Sequence, residues 1–347
     1  MRRSSELSPS RFPQCHTAGF FVAVAILSVV LLATAAASIA SAGPHLHLVP
    51  HFSTGQTLRY SVQLRMETSA AATGPITNAG GPKQLTQSVG VIIRLQILSV
   101  SDSPADSPSA RIRATYEKSV ATSEGAAGDP DVAAMDDQYQ KLAGQSIEFT
   151  LQSDGKITGV SGLTELSSDP SRAAVLNQWL SQLTLGASLP KHGIAIGEKW
   201  SSQQSLANAP LDGLVWKTTS TYLRDEPCPA AAQAPASAGK PVTPAAAPEQ
   251  CAVILSRSEI VGGSQPKDRT PAVFRQNGLR SSGIWTGSTE SLTAISLRSG
   301  MVSSVTQTGS THVDFTIMTA AHGNRMRYAG DTHSQSEISL LSPSAAP

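Results

Sequence analysis

Strict alternation of apolar and polar residues is the feature that most constrains the fold of this chain. Three long runs show it, at 58–66, 89–97 and 112–116. A period of two places every second side chain on one face of a β-strand, so each run predicts a strand with one buried face. Shorter or weaker runs bring the expected number of strands to ten or eleven; they lie at 146–151, 157–160, 200–206, 213–223, 251–261, 284–297, 301–314 and 315–320. Residues 325–341 are expected to add one more strand, at the edge of the sheet.

One amphipathic helix is predicted at about 168–186. Asp169 and Pro170 suit its first turn, and Gly186 suits the residue that follows its last turn. Its apolar stripe recurs at i, i+3, i+4 and i+7 and consists of Leu176, Trp179, Leu180 and Leu183. The predicted fold class is therefore α+β, mainly antiparallel β, with a curved sheet or half-barrel wrapped around this helix.

The first 42 residues have the pattern of a signal peptide or a signal anchor. Arginines at the start of the chain precede an uncharged apolar run over 18–42, which ends in Ala40-Ser41-Ala42. This small-x-small ending favours cleavage, while the length of the apolar run leaves an uncleaved anchor open. Either alternative predicts a periplasmic or extracellular location, with an inner-membrane anchor and membrane contact through 18–42 only if the segment is kept.

The rest of the chain divides into a His-bearing polar arm at 43–51, a single β-rich domain at 52–341 with a Pro/Ala loop at 226–250, and a disordered tail at 342–347. The net charge of the whole chain is +1, and no run of Lys or Arg follows the leader. A near-neutral chain of this kind gives no indication of a nucleic-acid partner.

Cys228 and Cys251 flank the Pro/Ala loop and are the two cysteines that remain after the leader. In an oxidising compartment an even pair on either side of such a loop predicts a disulfide that closes it. Two free thiols are the alternative.

Three local patterns resemble a group of uncharacterised secreted bacterial β-rich proteins that are similar to the periplasmic lipoprotein-carrier superfamily. The first is a strand-entry pattern made of Gly55, Leu58, Tyr60 and Val62. The second is the Asp-Gly-Lys-Ile turn at 154–157, followed after the predicted helix by Leu189, Pro190, Gly197 and Trp200. The third is the turn at 299–302. The resemblance covers about 52–318. It implies a half-open barrel around a helix and an apolar concave face able to hold an acyl chain, and it transfers no binding residue.

The function expected from these features is a non-enzymatic envelope protein that binds a lipid or another apolar or amphiphilic ligand. The reasoning is that bulky aliphatic strand faces with one helix to cover them leave a groove. Its expected lining is Val91, Ile93, Leu95, Leu176, Trp179 and Leu183. The alternative is a structural or protein-interaction domain whose own core fills the groove.

A hydrolase with scattered catalytic residues is the second alternative. The chain has no Gly-x-Ser-x-Gly, His-Glu-x-x-His, Cys-x-x-Cys or phosphate-binding glycine motif. His312, Asp314 and His322 lie close together in sequence, with Ser303 and Ser310 nearby, but a surface hydrogen-bonded pair is favoured over a triad. The prediction is that the chain has no catalytic residue.

Three histidines of the arm, His45, His47 and His51, are the best candidates for metal ligands in the sequence. After cleavage at Ala42, Pro44 would lack the N–H that a square-planar copper or nickel site at the amino terminus requires. Asp131, Asp136 and Asp137 are read as a solvated turn. No metal and no cofactor are expected.

Overall fold

The protein is predominantly antiparallel β, with one open sheet of eleven strands. The computed structural model describes residues 45–74, 83–101, 108–125, 136–137, 139–153, 155–162, 189–190, 192–206, 209–229, 248–262, 268–319 and 323–341. The strands are β1 Thr57–Thr73, β2 Lys83–Ser101, β3 Ser109–Glu124, β4 Ser146–Gln152, β5 Ile157–Ser161, β6 Lys199–Ser205, β7 Leu214–Pro227, β8 Gln250–Gly262, β9 Leu279–Ser296, β10 Val302–Thr319 and β11 Arg325–Leu341. A five-residue helix, α1, spans Ala272–Gln276. No helix within these ranges is long and apolar enough to cross a membrane.

The strand order is β5-β4-β3-β2-β1-β11-β10-β9-β8-β7-β6. Each half is a meander of sequential hairpins, and the two halves join where β1 pairs with β11. The first and last strands of the domain therefore lie at the centre of the sheet, and the short strands β5 and β6 form its edges.

Several sequence predictions are confirmed. The alternating runs lie inside β1 to β3, and the turn at 154–157 is the hairpin between β4 and β5, where Gly155 adopts φ 79°. The predicted helix at 168–186 lies outside the described residues, as do the leader at 1–42 and the tail at 342–347.

Three strand predictions were wrong in detail. The strands predicted at 301–314 and 315–320 are parts of one strand, β10, because the backbone of 304–318 pairs continuously with both β9 and β11. Residues 325–341 form a central strand and not an edge strand, since small and polar side chains there pack between two neighbours. The strand predicted over 58–66 continues to Thr73 as β1, because 67–73 also pair with β11.

The register divides the sheet into an apolar face and an ion-paired face. On the apolar face, Tyr60 lies opposite Ile93, and Leu95 lies opposite Ala114. The ion-paired face carries cross-strand or near-neighbour pairs that include Arg59–Glu117, Arg111–Glu148, Arg113–Glu148, Arg257–Glu290 and Arg327–Asp314. Hydrogen bonds from Arg113 and Arg111 hold the pKa of Glu148 below its usual range.

The apolar face is buried in three clusters. The largest extends over β1 to β5 and includes Val302, Val305 and Ile338 of the other half. A second cluster is formed by residues of β7 to β9 with Leu48 and Ile194, and the third surrounds Leu214 and Ile260. The core thus follows one side of the whole sheet.

The described part of the arm, residues 45–51, lies against the second cluster. Leu46 forms a β-bridge with Ile194, and Leu48 and Pro50 are buried. The amide of His51 donates a hydrogen bond to the carbonyl oxygen of Ser299. The arm is therefore attached at two separate places.

The predicted disulfide is confirmed. Cys228 follows β7, Cys251 lies in β8, and their Cα atoms are 4.9 Å apart. The amide of Cys228 also donates a hydrogen bond of 2.7 Å to the carbonyl oxygen of Glu249. The disulfide therefore closes the loop between β7 and β8 at its base.

Removing this disulfide is expected to lower the free energy of unfolding by about 3 kcal/mol, because an open loop has more conformational freedom in the unfolded chain. The two cysteines are 23 residues apart. The variant is Cys228→Ser with Cys251→Ala, since Cys251 is fully buried and serine would leave an unpaired hydroxyl. Urea unfolding measures the change. Reduction of the native protein should reproduce the loss, and an unchanged urea midpoint after reduction would contradict it.

Candidate functional site

The predicted groove residues of β2 are buried. Val91, Ile93 and Leu95 expose 7%, 0% and 2% of their surface and belong to the largest apolar cluster. The helical residues expected opposite them, Leu176, Trp179 and Leu183, lie outside the described residues. A ligand at Ile93 would have to displace core side chains, so this part of the face is closed to solvent.

Farther along the same face, apolar side chains are less buried. On β10 and β11 they form what we call the aromatic patch, which consists of Val313, Phe315, Ile317, Met326 and Tyr328. These five residues lie on the same face of the sheet as Val305 and Ile338, which are buried. Four of the five are only half-buried, and Met326 is exposed. The apolar face therefore changes from a closed core to a partly accessible surface along β10 and β11.

An aromatic pair lies at the centre of this patch. Phe315 and Tyr328 are cross-strand partners, with ring centroids 5.4 Å apart and planes inclined by 36°. On the other side Phe315 faces Gly283 of β9, where a side-chain carbon would lie 2.2 Å from the carbonyl oxygen of Asp314. Because only glycine fits there, the Phe315 ring has no side chain beside it on β9.

Trp285 lies next to the patch, opposite Val313. Its indole Nε1 is buried, and within the described residues it has no hydrogen-bond partner. A buried N–H without an acceptor is costly, and an acceptor on a bound molecule would remove that cost if binding turned the indole toward it. The patch thus combines apolar surface with one unused donor at its border.

Two open depressions lie on the ion-paired face, with volumes of about 650 and 680 Å³. The larger one receives side chains from β1, β2 and β8 to β11, so the sheet curves around this face. Lys217, Arg257, Glu259 and Glu290 line the smaller one. The resemblance implied an apolar concave face, but these two depressions lie on the polar face.

His312 and Asp314, the two described residues of the hydrolase hypothesis, have different partners. His312 Nδ1 lies 2.8 Å from Asp331 Oδ1. Asp314 instead accepts two hydrogen bonds from Arg327, at 2.8 and 2.6 Å, which lower its pKa. Ser310 Oγ lies 3.4 Å from Ser288 Oγ. His322 lies outside the described residues, and the contact between His312 and Asp331 is an exposed surface hydrogen bond.

His45 has partners that the sequence analysis missed. Its side chain meets His192 and Glu198, with one ligand atom of each residue within 4.8 Å of the others. His47 and His51 are not members of this group. His192 precedes the Gly-x-x-Trp motif that begins at Gly197, and Glu198 is the second residue of that motif. Both are distant in sequence from His45, and it is the β-bridge between Leu46 and Ile194 that brings them close to it.

The chain matches no family model and no curated protein sequence. A solved structure of lipovitellin, reported for its lipid–protein interactions, aligns with a TM-score of 0.43 and 13% identity and covers 86% of this chain and 26% of that one. This chain therefore spans about a quarter of the length of the lipovitellin chain. The outer membrane protein OprG from Pseudomonas aeruginosa aligns with a TM-score of 0.18 and 6% identity over 85% of this chain and 100% of that one. Similarity at this level assigns no family, and the resemblance to lipoprotein carriers stays a prediction.

Proposed function

We propose that this protein is an exported, non-enzymatic binding module for an apolar or amphiphilic ligand, and that the aromatic patch is its binding surface. The observation that supports this most is the contrast along one face of the sheet. Side chains near Ile93 are closed to solvent, whereas Phe315, Tyr328 and Met326 remain partly accessible.

The chemistry of the patch favours a ligand with an apolar body. Its two aromatic rings and its three aliphatic or thioether side chains form an apolar surface on which a hydrocarbon chain can pack favourably. The unpaired indole N–H of Trp285 at its border favours a ligand that carries an acceptor, such as a carboxylate or a hydroxyl. A fatty acid has both properties.

The experiment uses the full chain, exported from a bacterial host, and a fluorescent fatty acid as probe. Truncating both rings, Phe315→Ala with Tyr328→Ala, is expected to weaken binding roughly 10- to 100-fold. Full burial of an exposed ring contributes about 1.5–3 kcal/mol, each half-buried ring has about half of that left to gain from a ligand, and about 1.4 kcal/mol corresponds to a tenfold change. Fluorescence titration measures the dissociation constants of native protein and variant.

Ile284→Ala is the matched control. Ile284 is exposed, lies on β9, and points to the opposite face beside Asp314. Its loss should leave fatty-acid binding unchanged. Equal weakening by the control and the patch variant would contradict a specific site, and absence of binding by the native protein would overturn the proposal.

A structural or protein-interaction role is the second candidate. The burial of Val91, Ile93 and Leu95 favours it, because the core already fills the groove that was expected there. Native mass spectrometry of the exported protein, before and after organic extraction, separates the two. A co-purifying mass removed by extraction supports the binding module, and its absence together with failure to bind fatty acid supports the interaction role.

A further inference from the structure

The side chains of His45, His192 and Glu198 converge from two segments of the chain, the arm and the turn before β6. His192 Nε2 lies 2.9 Å from Glu198 Oε1, and His45 Nδ1 lies 3.8 Å from Glu198 Oε2. The two imidazole rings are 5.7 Å apart and inclined by 69°. Within the described residues this is the group of histidine and carboxylate side chains whose spacing suits a metal ion.

We propose that His45, His192 and Glu198 bind a divalent transition-metal ion, with zinc as the ion that this donor set fits best. Two imidazole nitrogens and one carboxylate oxygen are donors that zinc accepts, whereas calcium and magnesium prefer oxygen donors throughout. Three protein donors leave a fourth position that water can fill.

The spacing of the donor atoms agrees with a tetrahedral ion. Zinc bonds of about 2.0–2.2 Å place neighbouring ligand atoms about 3.3 Å apart. The two measured nitrogen–oxygen distances, 2.9 and 3.8 Å, lie on either side of that value. Small side-chain rotations would therefore bring all three donors to bonding distance.

The carboxylate is held in place by the backbone. Glu198 Oε2 accepts a hydrogen bond of 2.8 Å from the amide of Ala195, so its orientation is fixed by the turn that precedes β6. The other carboxylate oxygen, Glu198 Oε1, lies 2.9 Å from His192 Nε2. The group is thus a carboxylate that is already positioned toward both imidazoles.

The backbone also brings His45 to the site. The amide and carbonyl of Leu46 exchange hydrogen bonds of 2.8 and 2.9 Å with Ile194, and Ile194 is 1% exposed. Gly193 adopts φ 82°, and a side-chain carbon there would lie 2.9 Å from the carbonyl oxygen of Leu46. The close approach of the arm to this turn therefore requires glycine.

A bound ion would fasten the arm to the start of β6. Leu46 and Leu48 of the arm pack on the second apolar cluster with Ile194 and Ile254. An ion bridging His45 to Glu198 would hold these residues on the sheet and so keep the cluster covered. The site is then a structural clasp between the beginning of the domain and its edge.

The test is isothermal titration calorimetry of zinc chloride into the full chain after removal of metals with a chelator. We expect one zinc ion per chain and no binding of calcium or magnesium at the same concentrations. His192→Ala and Glu198→Gln should each weaken zinc binding at least ~100-fold, since removing even an outer-sphere partner costs 10- to 100-fold. His192 is 64% exposed, so its loss leaves the fold intact.

His51→Ala is the matched control, because His51 lies on the same arm and only its backbone amide is used, in the hydrogen bond to Ser299. It should bind zinc as the native chain does. Equal loss in His51→Ala and His192→Ala, or no zinc binding by the native chain, would overturn the proposal. Circular dichroism of each variant verifies that the fold is unchanged.

Discussion

Replacing Tyr60 by alanine is expected to lower the free energy of unfolding by about 4 kcal/mol, because truncation of a fully buried aromatic side chain leaves a large cavity. Tyr60 is 0% exposed and lies on β1 at the centre of the sheet. Its hydroxyl donates a hydrogen bond of 3.0 Å to the carbonyl oxygen of Val302 on β10. The side chain therefore connects both halves of the sheet, and urea unfolding measures the loss.

Two further variants separate the contributions of Tyr60. Tyr60→Phe keeps the ring and removes the hydroxyl, so it should cost about 1 kcal/mol. Burial raises the pKa of Tyr60, so the hydroxyl stays protonated and remains a donor at neutral pH. Val120→Ala on the exposed face of β3 should change stability by no more than about 0.5 kcal/mol. A loss below about 1 kcal/mol for Tyr60→Ala would contradict the burial of this residue.

The alternating pattern predicted the interior of the long strands because it records which face is buried. Leu58 to Met66 and Val89 to Ile97 were read correctly, since a one-residue shift of register would move every apolar side chain to solvent. The disulfide was equally accessible to sequence reasoning. Two cysteines that flank a loop with almost no bulky apolar residue have few other partners.

The order of the strands could not be read from the same pattern. Pairing between β1 and β11 joins residues at opposite ends of the domain, and no local signal marks it. β11 was predicted as an edge strand. Its small residues suit the centre of the sheet, since a side-chain carbon added at Gly330 would lie 3.0 Å from the Cβ of Ala70 on β1.

The candidate sites depend on the same long-range pairing. His45 meets Glu198 only because Leu46 pairs with Ile194, and Phe315 meets Tyr328 only because β10 pairs with β11. His45 was a metal candidate only together with its neighbours His47 and His51, and no metal was expected there. The residue types were informative, and their partners were not predictable without the register.

Gly300 fixes the second attachment of the arm. It lies in the turn between β9 and β10 with φ 65° and donates a hydrogen bond of 2.9 Å to the carbonyl oxygen of Ser296. A side-chain carbon at this position would lie 2.1 Å from the carbonyl oxygen of Val49. Two atoms cannot approach this closely. Because the Val49 oxygen belongs to the backbone and cannot rotate aside, the arm would have to move away.

Gly300→Ala is therefore expected to lower the free energy of unfolding by about 3 kcal/mol or more: the left-handed backbone costs about 1–2 kcal/mol with a side chain, and undocking Leu48 loses a further 1.5–3 kcal/mol. Gly55→Ala is the matched control, because Gly55 adopts φ 83° with nothing within 4 Å of an added carbon, so only the backbone cost of about 1 kcal/mol applies.

Zinc calorimetry on both variants extends the test to the clasp. Undocking the arm removes His45 from Glu198, so the apparent zinc affinity of Gly300→Ala should fall with the fraction of docked arm, while Gly55→Ala keeps the native affinity. Equal stability of the two variants would show that the arm does not lie against this turn.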